Sequence, residues 1–150
     1  MTGRIAQPSL PFDRVIPRYE RAVRDEYAPP RELPADQAQV LAAVRARRGR
    51  AAAIGVGDLA AQTGLDERRV QIVVKHLVEE HQAPIGTGTT QPWGYYWITS
   101  DEERREVRDS LVRRAVSTLR RARAYDRGGW VAGLIGQAEL ELGDVPEVSR

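Results

Sequence analysis

The sequence predicts a mostly helical chain with one small β-hairpin, an α+β fold that runs on into a long C-terminal helix. Three observations predict it. Apolar side chains recur every three or four residues over 36–48, 54–64, 66–80 and 101–125, the spacing of a single buried helical stripe. Over residues 84–100 this repeat gives way to two β-prone runs flanking a turn rich in glycine and threonine. Six of the nine prolines (Pro8, Pro11, Pro17, Pro29, Pro30 and Pro34) fall within residues 1–34, a density that no continuous helix tolerates.

Residues 1–34 therefore read as an arm. One short helix fits over 18–26, started by Pro17 and stopped by Pro29, with Tyr19, Ala22, Val23 and Tyr27 as its stripe. Residues 35–99 read as the central domain. Asp36 is placed to cap its first helix, with Gln39 as capping-box partner. Val40, Leu41, Ala43 and Val44 form the buried side, and Gly49 follows the basic last turn of Arg45, Arg47 and Arg48. A short second helix begins after Gly55 and ends at Gly64, with Leu59 and Ala60 facing inward. Asp66 caps a third helix that buries Val70, Val73, Val74, Leu77 and Val78 and turns Arg68, Gln71, Ile72 and Lys75 the other way. The runs Pro84-Ile85-Gly86-Thr87 and Gly94-Tyr95-Tyr96-Trp97-Ile98-Thr99 make the hairpin. Alternation along it directs Tyr95 and Trp97, or Tyr96 and Ile98, to the core.

Ser100 and Glu103 form a second capping box, which opens a basic amphipathic helix over residues 100–127. Its stripe is Val107, Leu111, Ala115, Leu119 and Ala122, widened by Val112 and Val116. Gly128-Gly129 breaks the helix, and residues 128–150 hold a short amphipathic piece with an acidic tail.

The formal net charge of +2 hides a segregation. Residues 104–127 carry +6, residues 101–103 and 128–150 carry −3 each, and residues 1–34 and 35–100 carry +1 each. Of the cationic residues, 22 are arginine and one is Lys75. Guanidinium suits phosphate, and a GC-rich genome produces the same bias. Absence of cysteine excludes disulfides, thiol nucleophiles and cysteine zinc sites. His76 and His81 lie on different helical faces with no third ligand, so no metal or other cofactor is expected. The chain contains no Ser-His-Asp set and no phosphate-cradling loop, so it does not read as an enzyme. Without an apolar span or a leader-like N-terminus, a cytoplasmic protein with no membrane partner is expected.

The order helix, short helix, glycine turn, helix and hairpin over residues 36–99 resembles the winged helix-turn-helix family. The likeness is carried by Asp58-Leu59-Ala60-Ala61-Gln62-Thr63-Gly64-Leu65-Asp66-Glu67-Arg68-Arg69-Val70. Small Ala60 lets the third helix cross closely, Gly64 suits the positive φ of the turn, and Leu65 and Val70 fill the space between helices. The hairpin and the capped basic helix after it are similar to small winged-helix proteins of phages and mobile elements.

The resemblance implies binding of double-stranded DNA, with the third helix in the major groove and the hairpin on the backbone. Carried onto this sequence, the groove set is Arg68, Arg69, Gln71, Ile72 and Lys75, and the hairpin set is Thr87, Thr89 and Thr90. The turn over residues 87–91 has no Arg or Lys, a departure from basic wings. Such readers bind two half-sites as dimers, and the stripe Val107, Leu111, Ala115, Leu119 and Ala122 is the expected homodimer face. A regulator or replication accessory factor of a phage or mobile element fits these features. The alternative is a protein-interaction module whose arm and central domain dock a host polymerase or replication protein.

Overall fold

The computed structural model describes residues 27–143, so the short helix expected over 18–26 and the end of the acidic tail lie outside the described residues. The fold is α+β, with a two-stranded antiparallel hairpin set among helices. The chain divides into two compact units, Met1–Arg104 and Arg105–Arg150.

In the first unit, helices α1 (Ala35–Arg45), α2 (Val56–Thr63) and α3 (Glu67–Glu79) precede strands β1 (Ile85–Gly88) and β2 (Gly94–Trp97). The three helices pack on one another around Val40, Val44, Leu59, Val70, Val73 and Leu77, all essentially inaccessible to solvent. Each such side chain stabilises the fold by about 1.5–3 kcal/mol relative to exposure. Helix α1 starts one residue before the expected cap, after Pro34, whose rigid φ suits that position and whose side chain makes no cap hydrogen bond. The expected box between Asp36 and Gln39 gives way to other bonds. The Asp36 carboxylate accepts the Gln37 N–H at 2.8 Å and the Arg69 guanidinium.

Helix α1 also ends at Arg45, short of Gly49. The connection that follows is used by the sheet. Ile54 exchanges two backbone hydrogen bonds with Tyr95, each 2.8 Å, and Trp97 donates to the Arg47 carbonyl at 2.7 Å. The outer edge of β2 is thereby covered, which removes an exposed template for edge pairing. Gly94 is required by this contact. Its φ is +123°, and a Cβ there would lie 2.0 Å from the Ile54 carbonyl oxygen.

Strand register pairs Ile85 with Trp97 and Gly88 with Gly94. Of the two alternating sets in the hairpin, Trp97 and Tyr95 join the helical core, while Tyr96 and Ile98 on the other face are buried as well. Tyr27 meets Trp97 edge-on, with ring centroids 5.4 Å apart, and the Arg45 guanidinium lies 5.6 Å from the Trp97 ring centroid. The Tyr27 hydroxyl is buried without a hydrogen-bond partner among the described residues.

Helix α4 (Asp101–Ala122) begins at the capping box, where the Glu103 N–H donates to Ser100 Oγ at 3.1 Å. In the second unit, a short 3-10 turn (Arg123–Tyr125) leads to helix α5 (Trp130–Leu142). Asp126 organises the reversal by accepting the N–H groups of Gly128 and Val131 at 3.0 and 2.9 Å. Val116 of α4 packs with Val131 and Ile135 of α5, flanked by Val112, Leu119 and Ala138, and Arg120 bonds Glu139 at 2.8 Å.

Candidate nucleic-acid interface

The turn between α2 and α3 positions the candidate reading helix. Thr63 Oγ1 donates to the Leu59 carbonyl at 2.7 Å, Gly64 takes the left-handed conformation at φ 71°, and Asp66 accepts the Arg69 N–H at 2.8 Å. The Asp66 bond satisfies an N–H that the start of α3 would otherwise leave open, and the Thr63 bond ties the last turn of α2 back onto itself. The turn fixes the azimuth of α3: Val70, Val73, Val74 and Leu77 are held in the core, so the opposite side must face solvent.

That side presents Arg68, Gln71, Ile72 and Lys75, all exposed, and Ile72 retains 44% of its accessible surface. Among the described residues, neither Arg68 nor Lys75 takes part in an ion pair. Arg69, about a quarter-turn away, is differently engaged. Its Nε donates to Asp36 Oδ2 at 2.9 Å and its Nη2 bonds the same oxygen. This hydrogen bond is the main reason the Asp36 carboxyl is held below its ordinary range. Arg69 thus ties α3 to α1, a use that its place beside Arg68 in the sequence does not reveal.

Thr87, Thr89 and Thr90 are exposed on the hairpin. Thr90 Oγ1 accepts a hydrogen bond from the Arg50 guanidinium, which reaches it from the connection after α1. The backbone N–H of Arg50 donates to Glu103 Oε1 at 2.8 Å. The cation missing from the hairpin sequence is therefore supplied by a segment forty residues earlier. Sequence reading passed over Arg50 because no local pattern relates it to Thr90. Gly49, at φ 79°, was the nearest sign that the chain turns there.

Trp93 ends the same turn and is 60% exposed, whereas Tyr96 and Trp97 are buried. The aromatic cluster of the sequence thus divides into core residues and one outward ring. On α4, Leu111, Ala115 and Ala122 are exposed, Val107 is half-buried, and Leu119 packs within the second unit.

An open cleft is lined by Gln39, Ala42, Ala43, Ala46, Gln62 and Thr63, a set with no titratable side chain to supply acid–base chemistry. Among the described residues no group of three His, Asp or Glu side chains could hold a metal ion, and no helix is long and apolar enough to cross a membrane. Comparison with protein-family models, with curated proteins and with solved structures found no match.

Proposed function

We propose that the first unit binds double-stranded DNA, with α3 as the reading helix. The observation that carries this is the outward face of α3. Two cations with no acidic partner among the described residues, a side-chain amide and a half-exposed isoleucine stand in line on a helix whose other side is locked in the core. Arginine and glutamine pair bidentately with guanine and adenine edges, isoleucine packs on a thymine methyl, and Lys75 suits a phosphate. The threonines of the hairpin supply hydroxyls for the backbone. The resemblance of residues 58–70 to the winged helix-turn-helix family supports the same reading.

Anisotropy of a labelled duplex, titrated with the full chain over a salt series, tests the proposal. Binding should weaken steeply with salt, the slope giving the number of phosphates engaged. Unchanged affinity in an Arg68→Ala/Lys75→Ala double variant, or absence of binding by the folded protein, overturns it.

Helix-turn-helix readers bind two half-sites as dimers, and the exposed line Leu111, Ala115 and Ala122 of α4 is the face proposed to pair two copies. A regulator or replication accessory role follows from such binding. The competing reading is docking to a host polymerase or replication protein. It is favoured by Tyr125, Trp130 and Leu140, which are 88, 66 and 84% exposed in the second unit. Light scattering separates the two: a dimer that Leu111→Glu dissociates supports pairing, and a monomer that does not bind DNA supports docking.

A further inference from the structure

The geometry points to a second nucleic-acid contact, distinct from α3: Arg50, Thr90 and Trp93 form a stacking site for an unpaired base, so that the protein favours duplex DNA ending in a single strand. The inference rests on the reading of the first unit as a DNA-binding module and adds a substrate class to it.

Three features converge on the hairpin turn. The pairing of Gly88 with Gly94 closes residues 89–93 into a compact loop, which carries Trp93 and Thr90 together. Trp93 keeps 60% of its surface in solvent, although a large aromatic ring gains more by burial than almost any other side chain. Arg50 is anchored from both ends, its backbone N–H donating to Glu103 and its guanidinium to Thr90. The Glu103 carboxylate is itself occupied, since it also accepts the Thr99 N–H at 2.8 Å and Thr99 Oγ1 at 3.2 Å.

A guanidinium held at Thr90 and an outward indole carried by the same turn supply the two requirements of single-strand binding. The cation engages the phosphate, and the ring offers a face to any base. Stacked pairs in an intact duplex leave no free face for an indole at the strand backbone, whereas an overhang does. The hydroxyls of Thr89 and Thr90 provide further donors to phosphate oxygens.

The test titrates the full chain with a blunt duplex, the same duplex bearing a short single-stranded overhang, and the overhang strand alone. Binding is read by anisotropy and by tryptophan fluorescence in a Trp130→Phe background. In that background Trp93 is the exposed indole and Trp97 is buried at 2%. The overhang should tighten binding about ten-fold and quench Trp93. Trp93→Ala should abolish that gain while leaving blunt-duplex affinity within about two-fold, since neither α3 nor the hairpin threonines are touched. Arg50→Ala should abolish the gain and also weaken the blunt duplex, because it removes the cation held at Thr90. Arg50→Ala keeps the backbone N–H that bonds Glu103, so it tests the guanidinium alone. Equal binding of blunt and overhung duplexes with no change in Trp93 emission overturns this inference and leaves the α3 reading standing. Quenching by the overhang strand without any blunt-duplex binding upholds the stacking site and removes α3 from the account. No binding of any of the three probes overturns both.

Discussion

Glu103 Oε1 accepts the backbone N–H of Arg50 at 2.8 Å across 53 positions of sequence. Its other oxygen accepts Thr99 N–H and Thr99 Oγ1, and its own N–H donates to Ser100 Oγ. One carboxylate therefore caps the start of α4, closes the exit of β2 and fixes the connection after α1. Glu103→Ala should destabilise the first unit by about 1–3 kcal/mol, because donors it satisfies lose their acceptor. Glu103→Gln, which keeps one acceptor oxygen, should lose less. Urea denaturation followed by circular dichroism measures both.

Gly94 and Gly64 both take positive φ, at 123° and 71°, yet their substitutions should differ in severity. Around Gly64 nothing lies within 4 Å of a built Cβ, so Gly64→Ala meets only the backbone preference, about 1 kcal/mol. At Gly94 the Cβ would enter the carbonyl of Ile54, and the pairing of the connection with β2 must break. Gly94→Ala should lower the thermal midpoint far more than Gly64→Ala, as calorimetry would record.

Burial raises the pKa of both Tyr27 and Tyr95 above the ordinary 10.0, with Arg45 pulling Tyr27 partly back. The folded state disfavours the phenolates, so their contribution is complete below pH 10.0 and is lost as pH rises through the raised values. Stability should fall more steeply with pH in the wild type than in a Tyr27→Phe/Tyr95→Phe variant. At neutral pH Tyr27→Phe should be neutral or slightly stabilising, since it deletes a buried hydroxyl that has no partner among the described residues.

Arg68 and Arg69 are adjacent and should behave differently. Arg68→Ala should weaken duplex binding about ten-fold and reduce the salt slope by about one, with stability unchanged. Arg69→Ala should change stability instead. The Asp36 pKa is lowered chiefly by its hydrogen bond from Arg69, so this contribution is present above the ordinary 3.8 and disappears as pH falls through the lowered value. The pair is partly solvated and contributes at most about 1 kcal/mol. Comparing the two variants by anisotropy at fixed salt, and by urea denaturation at neutral and acid pH, checks the division.

In the second unit, Val116, Val131 and Ile135 are the buried contacts between α4 and α5. Ile135→Ala should cost about 2–4 kcal/mol of local stability and release amide protection in α5. Hydrogen exchange would show whether protection in α1, α2 and α3 is retained, as expected for a separate compact unit.

The sequence alone determined the elements. Helical spacing placed α1, α2, α3 and α4, and local chemistry set most of their ends: Asp66 and Ser100 cap where expected, and Gly64 stops α2. The buried face of α3 follows from the same periodicity, and with it the exposure of Arg68, Gln71, Ile72 and Lys75. These features depend on neighbours within a turn or two of helix, which is the range over which a sequence pattern acts.

Only the tertiary structure decided which polar groups meet. Asp36 turned from a helix cap into the partner of Arg69, Arg50 arrived at Thr90, and Glu103 bound a backbone group from before α2. It also put Leu119 into the contact with α5 while leaving Leu111 of the same stripe in solvent. Hydrogen bonds are short-ranged and directional, so a partner dozens of residues away is chosen by how the helices pack. An apolar stripe wider than one neighbour can cover leaves its exposed edge to be set by where that neighbour lands.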